Sequence, residues 1–275
     1  MKFESMARVI TCIDKVEIGL VGMGGLRAFE DHAEEECHAN GDQTLEPGWW
    51  PPPMQSDQLE KCRHWESHGP PRQQEPNFYP EGIVFVSLGC NSATKLTLQR
   101  MGSGVEALPF DWLCTSLDGI LKFLKNGFEE FFEYGDRRRC TTAASSLCYR
   151  SSVHSFWHDN PDSDDVKKAY RQRFERFDGL VSTGKTLLFV RAIATTKELS
   201  RIQELLHALR DRFGQQVCLL VIANFQSTSA GAFMVDGFDD LLVYFLEAEV
   251  HPEKVSEAPY SKPIAVASAW LAGDP

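Results

Sequence analysis

Apolar positions in this chain form two kinds of block that alternate along its second half. Ile83–Val86, Thr186–Val190 (TLLFV), Val217–Ala223 (VCLLVIA) and Leu241–Leu246 (LLVYFL) are short, near-continuous apolar runs. Runs of this length predict strands buried on both faces. Between them, apolar residues recur at intervals of three and four. Leu117, Ile120, Leu121, Leu124, Phe128, Phe131 and Phe132 follow that spacing, with Ser116 as a cap and Asn126-Gly127 as a break. Val166, Tyr170, Phe174, Phe177 and Val181 mark a second helix. Thr195-x-x-Glu198 reads as a capping box for a third, which carries Leu199, Ile202, Leu205, Leu206, Leu209 and Phe213 and ends at Gly214. Pro263–Ala269 (PIAVASA) is a last, weaker strand candidate.

Strand, helix, strand with apolar strands predicts an α/β fold of three layers, a mostly parallel sheet with helices on both faces. In such sheets the site lies beyond the carboxyl ends of the strands. The segment Ser87-Leu88-Gly89, with a helix opening near Asn91 or Ser92, falls there. A strand that delivers a small polar residue to a helix N-terminus is suited to activating a nucleophile. Free N–H groups and the positive end of the helix dipole stabilise an anion at that point.

Residues 1–80 read differently. From Glu34 to Pro80 there is no sustained period, and the stretch holds Pro51-Pro52-Pro53, Pro70-Pro71 and a Trp49-Trp50 pair. We expect a largely irregular extension over 1–80 and a compact domain over 81–275. The whole chain of 275 residues is 43% hydrophobic, enough for a sizeable core, and carries a formal charge of −11. That charge argues against nucleic acid and anionic membrane surfaces as main partners. No apolar run reaches the ~18 residues that span a bilayer. Arg8, Asp14, Lys15 and Glu17 interrupt any signal-peptide core, so a cytoplasmic location is the expectation. The cysteines at 12, 37, 62, 90, 114, 140, 148 and 218 are scattered over a chain too long to need disulfide staples, and we expect reduced thiols.

Three motif matches carry little. Gly179-Leu-Val-Ser-Thr-Gly184-Lys185-Thr186 satisfies the P-loop pattern, but the helix comes before it and the strand after it. A phosphate cradle needs the reverse order. Ile18-Gly-Leu-Val-Gly-Met-Gly-Gly25 has no second strand with an acidic residue about 20 residues on. Cys37, His38, Cys62, His64 and His68 match no zinc spacing. No cofactor and no metal are therefore expected.

Ser87-Leu88-Gly89-Cys90-Asn91-Ser92, then Leu98, Arg100 and Gly102, then Pro109-Phe110-Asp111-Trp112, resemble a little-characterised family of putative papain-like cysteine peptidases. Its signature is Ser-Leu-Gly-x-x-Cys, a helix, Pro-Phe-Asp-Trp, a His-Asp pair, an Arg-rich helix and a Phe-Val-Arg strand. This chain supplies His158-Asp159, then Arg171, Arg173 and Arg176, then Phe189-Val190-Arg191, in that order. The match covers roughly 83–225. The resemblance puts the family cysteine on Ser92, with Cys90 two residues earlier. Three roles stay open there: an inactive site with Ser92 as a plain N-cap, Ser92 as nucleophile, or Cys90 in its place. His158 is the candidate base, with His154 as alternate. Asp111 either orients a histidine, as the third member of a triad, or bonds its own loop. The arginines at 171, 173 and 176 are expected on a solvated helix face. The implied activity is acyl transfer on a peptide or amide bond. The competing reading is a non-catalytic binding module. The oligomeric state stays open.

Overall fold

The computed structural model describes residues 82–90, 92–139, 147–193, 196–226, 231–247 and 260–272. The expected extension, the glycine cluster at 18–25 and the Cys/His group at 37–68 lie outside the described residues, as does Thr195 of the capping box.

The apolar runs form the sheet they predict. Strands β1 (Ile83–Ser87), β6 (Thr186–Ile193), β7 (Val217–Gln226) and β9 (Phe238–Glu247) lie in parallel. Strand β8 (Gly231–Val235) pairs antiparallel with β9, giving the order β1-β6-β7-β9-β8. Side chains alternate between two cores, which is why both strand faces are apolar. Val86, Phe189, Leu219, Val221 and Val243 join one core with α2 (Leu117–Asn126), α3 (Asp164–Gly179) and α4 (Ile202–Phe213). Phe85, Leu188, Val190, Leu220, Ile222 and Leu242 join the other with α1 (Ala93–Arg100) and α5 (Ser261–Ala272). Three layers result. Among the described residues no helix is long and apolar enough to cross a membrane.

Local signals explain the element ends. The Ser116 hydroxyl accepts the Gly119 N–H at 3.1 Å and caps α2, and Gly127 ends it in a left-handed conformation (φ 66°). Gly119 itself is required, because a Cβ there would lie 2.5 Å from the Val153 carbonyl oxygen. The helix-then-strand order around Lys185 holds: α3 and a 3₁₀ turn precede β6.

Four expectations need correction. PIAVASA is helical, not a strand. Pro263 sits in the first turn of α5, where a missing N–H costs nothing. Ile264, Ala267 and Ser268 then bury one face at helical spacing, and the Ser268 hydroxyl donates back to the Ile264 carbonyl. Arg173 is not solvated: it shares the buried face of α3 with Tyr170 and Phe177, four residues on. Arg176 is half-buried and donates to the Ala107 carbonyl, leaving Arg171 in solvent. The third predicted helix, α4, begins later than the sequence predicts, at Ile202, so Glu198 precedes it. Glu198 lies in a 3₁₀ segment (Thr196–Arg201) and turns its carboxylate to Arg191. Finally, α3 stops at Gly179, and Val181 is exposed.

A second, four-stranded antiparallel sheet was not expected. Strands β2 (Leu113–Thr115), β3 (Asp136–Arg139), β4 (Leu147–Arg150) and β5 (His154–Phe156) pair in the order β2-β5-β4-β3. It is inserted between β1 and β6, and His158 follows its strand β5 by two residues.

Candidate functional site

The turn from β1 to α1 is built from strained backbone. Gly89 and Cys90 are consecutive left-handed residues, at φ 71° and φ 80°. For cysteine this costs on the order of 1–2 kcal/mol, and such strain concentrates at functional sites. Gly89 has no alternative, since a Cβ would meet the Phe110 carbonyl oxygen at 2.9 Å and that of Leu113 at 3.4 Å. The Pro-Phe-Asp-Trp loop therefore lies directly against this turn.

Ser92 occupies the N-cap position of α1, and its carbonyl accepts the Leu96 N–H at 2.9 Å. Its hydroxyl forms no capping bond with the helix amides. The plain N-cap role is thus not the one its side chain plays. Cys90 and Ser92 are both about 5% exposed.

Asp111 takes the loop role rather than the triad role. Its Oδ2 accepts the Leu108 N–H at 2.7 Å and pairs with Lys95 Nζ at 2.7 Å, both side chains being buried. Its Oδ1 receives no hydrogen bond, so Asp111 does not orient a histidine. Lys95, one turn after Ser92, also donates to the Glu106 carbonyl at 2.5 Å. Sequence reasoning missed Lys95. The available signal was a lysine within a helix whose neighbours Ala93, Leu96 and Leu98 are apolar.

His158 follows β5, and its ring meets the edge of Trp112 at 6.5 Å between centroids. Strand β5 pairs with β2, which begins one residue after Trp112, so the sheet pairing carries His158 to the loop packed on Gly89. Asp159 turns the other way: it accepts from the Tyr170 hydroxyl at 3.1 Å and lies 3.8 Å from Arg173.

His154 is a core residue, not an alternate base. Its Nδ1 meets the Ser151 hydroxyl and its Nε2 the Phe131 carbonyl, each at 2.7 Å, within a cage of Phe123, Phe131 and Phe156. Burial pushes its pKa from 6.5 down to about 4, against the pull of the Phe131 carbonyl. The unfolded chain therefore binds a proton that the folded one refuses between those values. Stability is full above pH about 6.5 and falls as pH drops toward 4, by up to about 3 kcal/mol. Urea unfolding at pH 7 and pH 4.5 should show this slope, and His154→Phe should flatten it. An unchanged slope in the variant would assign the acid sensitivity elsewhere.

Arg191 closes the floor of the site at the end of β6. Its Nη1 donates to the carbonyls of Leu88 (3.2 Å) and Thr115 (2.9 Å), while Nε and Nη2 fork onto Glu198. Burial opposes the charge, but Glu198 more than offsets it and holds the guanidinium above its ordinary value. Carboxylate binding by Arg191 is thus internal, to Glu198.

A mostly parallel α/β sheet whose first strand ends in a left-handed turn, packed against a loop whose Trp112 meets the His158 ring, defines the scaffold. Residues 83–223 match the model of the family described as putative papain-like cysteine peptidase (DUF1796). The chain belongs to that family. It is also 33% identical, over 155 residues, to an uncharacterized protein of Acanthamoeba polyphaga mimivirus, covering 46% of this chain and 70% of the viral one. No solved structure matches it.

Proposed function

We propose that the β1–α1 turn is an acyl-transfer site for a peptide or amide bond, with residue 92 as the attacking position and His158 as the proton carrier. Serine in place of the expected cysteine weakens its chemistry. The observation that supports this is the Ser92 hydroxyl itself. It stands at a helix N-terminus without capping the helix, three residues after Gly89, which packs on the loop whose Trp112 meets the His158 ring. In the reaction, Ser92 Oγ bonds to the carbonyl carbon and its proton passes to His158. N–H groups of the first turn of α1 hold the oxyanion. His158 returns the proton to the leaving amine, and water then cleaves the ester. A serine hydroxyl needs a base for each attack, whereas a cysteine at a helix N-terminus is already partly thiolate.

The burial of Ser92 and Cys90 favours a second reading, a non-catalytic module that keeps the fold for recognition. One experiment separates the two. In Ser92→Cys, iodoacetamide labelling of residue 92 near neutral pH, mapped by peptide mass spectrometry, should exceed that of an ordinary thiol by about tenfold. Adding His158→Ala should remove the gain. An inert thiol at 92 overturns the catalytic reading and leaves the binding module.

A further inference from the structure

Beneath the site turn, two thiols are brought together from distant parts of the chain. Cys90 ends the strained turn and Cys114 is the middle residue of β2, and both are buried and outside any disulfide. Their backbones are fixed side by side. Arg191 Nη1 bonds the carbonyl of Leu88 and that of Thr115, so a single nitrogen spans the two segments. One residue inward, the Cβ position of Gly89 lies 3.4 Å from the Leu113 carbonyl oxygen. Cys90 and Cys114 sit between or beside these two contacts. Each thiol also feels the charge of Arg191, and a charge on Cys90 is felt at Cys114.

Cys148 is the competing partner for Cys114, and geometry disfavours it. It lies on β4, and β5 runs between β4 and β2. Two strand spacings amount to roughly 9.6 Å, whereas a disulfide needs Cα atoms within about 7 Å.

We propose that Cys90 and Cys114 are an oxidisable pair that closes to a disulfide under hydrogen peroxide and ties the site turn to β2. Cys90 reacts first: it ends a left-handed turn outside any strand, whereas Cys114 is held in the middle of β2, where burial also raises its thiol well above the ordinary value. The Cys90 sulfur bonds one peroxide oxygen, the O–O bond breaks, and one water leaves. The Cys114 thiol loses its proton and attacks the resulting sulfenic sulfur; the S–S bond forms, the S–OH bond breaks, and a second water leaves. Two thiols lose two electrons in total and one peroxide becomes two waters. This pairing does not depend on whether Ser92 is a nucleophile.

The test uses the full chain. Peroxide treatment, blocking of remaining thiols and non-reducing peptide mapping should yield a Cys90–Cys114 linked pair that dithiothreitol reverses. Cys148→Ala should still form it. Cys114→Ala should not, and Cys90 should then be captured by dimedone as sulfenic acid. Should Cys114→Ala fold poorly, the wild-type map decides alone. A Cys114–Cys148 link, a link from Cys90 to another cysteine, or Cys90 and Cys114 both still alkylated would overturn the proposal.

Discussion

Lys95→Met should lower the unfolding free energy by about 3–5 kcal/mol, the cost of removing one partner of a buried ion pair. Methionine matches the lysine stem in length, so the loss reports charge and hydrogen bonding rather than packing. What remains behind is a fully buried Asp111 carboxylate whose one other bond among the described residues is from the Leu108 N–H. The Glu106 carbonyl loses its donor as well. Guanidinium denaturation of the wild type and variant measures the difference. In Lys95→Met/Asp111→Leu no lone charge is left, so the double variant should lose less than the two single losses added together. A loss below about 1 kcal/mol in the single variant would mean that the pair is solvated and worth no more than a surface bridge. The loop that this pair holds is the one that lies against Gly89. The variant should therefore also blunt any reactivity gained by Ser92→Cys.

Arg191→Met carries the second large effect, again about 3 kcal/mol or more. The guanidinium satisfies three groups at once: the carbonyls of Leu88 and Thr115, and the Glu198 carboxylate. Glu198 is 16% exposed, so water recovers part of its loss, which places this variant toward the lower end of the range. Arg191→Lys should recover only a fraction. A lysine keeps the charge as a point, but it lacks the planar fork that reaches a carboxylate and two carbonyls together. Thermal melts or denaturant titrations of both variants give the ranking. A lysine variant as stable as the wild type would show that charge alone matters at this position and that the fork does not.

Element length decides which parts of this fold are legible in the sequence. The parallel strands were legible because burial on both faces leaves a run of apolar residues that needs no partner to be recognised. The α2 helix was legible from its Ser116 cap and its Asn126-Gly127 stop. The inserted sheet was not: β2 and β5 are three residues each, and β3 reads Asp-Arg-Arg-Arg, so none carries a measurable period. The β8–β9 hairpin had a signal, Asp236-Gly237, with Gly237 left-handed at φ 78°. Strand β8 before it is five residues long and mostly half-buried, so no long apolar run marks that side of the turn. PIAVASA misled through its mix of small and β-branched residues, which suits either element until a partner face is known.

For the candidate site, the sequence by itself determined the residue types on offer: a small polar residue after β1, a Pro-Phe-Asp-Trp loop, and a histidine further along. These follow from local patterns that each segment carries alone. Only the tertiary structure decided which of them meet. It sent Asp111 to Lys95 and Asp159 to α3, buried His154 among phenylalanines, and turned the backbone at Cys90. It also set Arg191 across Leu88 after β1, Thr115 of β2 and Glu198. Those choices depend on contacts between residues up to about a hundred positions apart, such as Arg191 to Leu88. Burial settles them, because a buried charge or polar atom must find its partner wherever the packing brings one within reach, and that partner has no fixed distance along the chain.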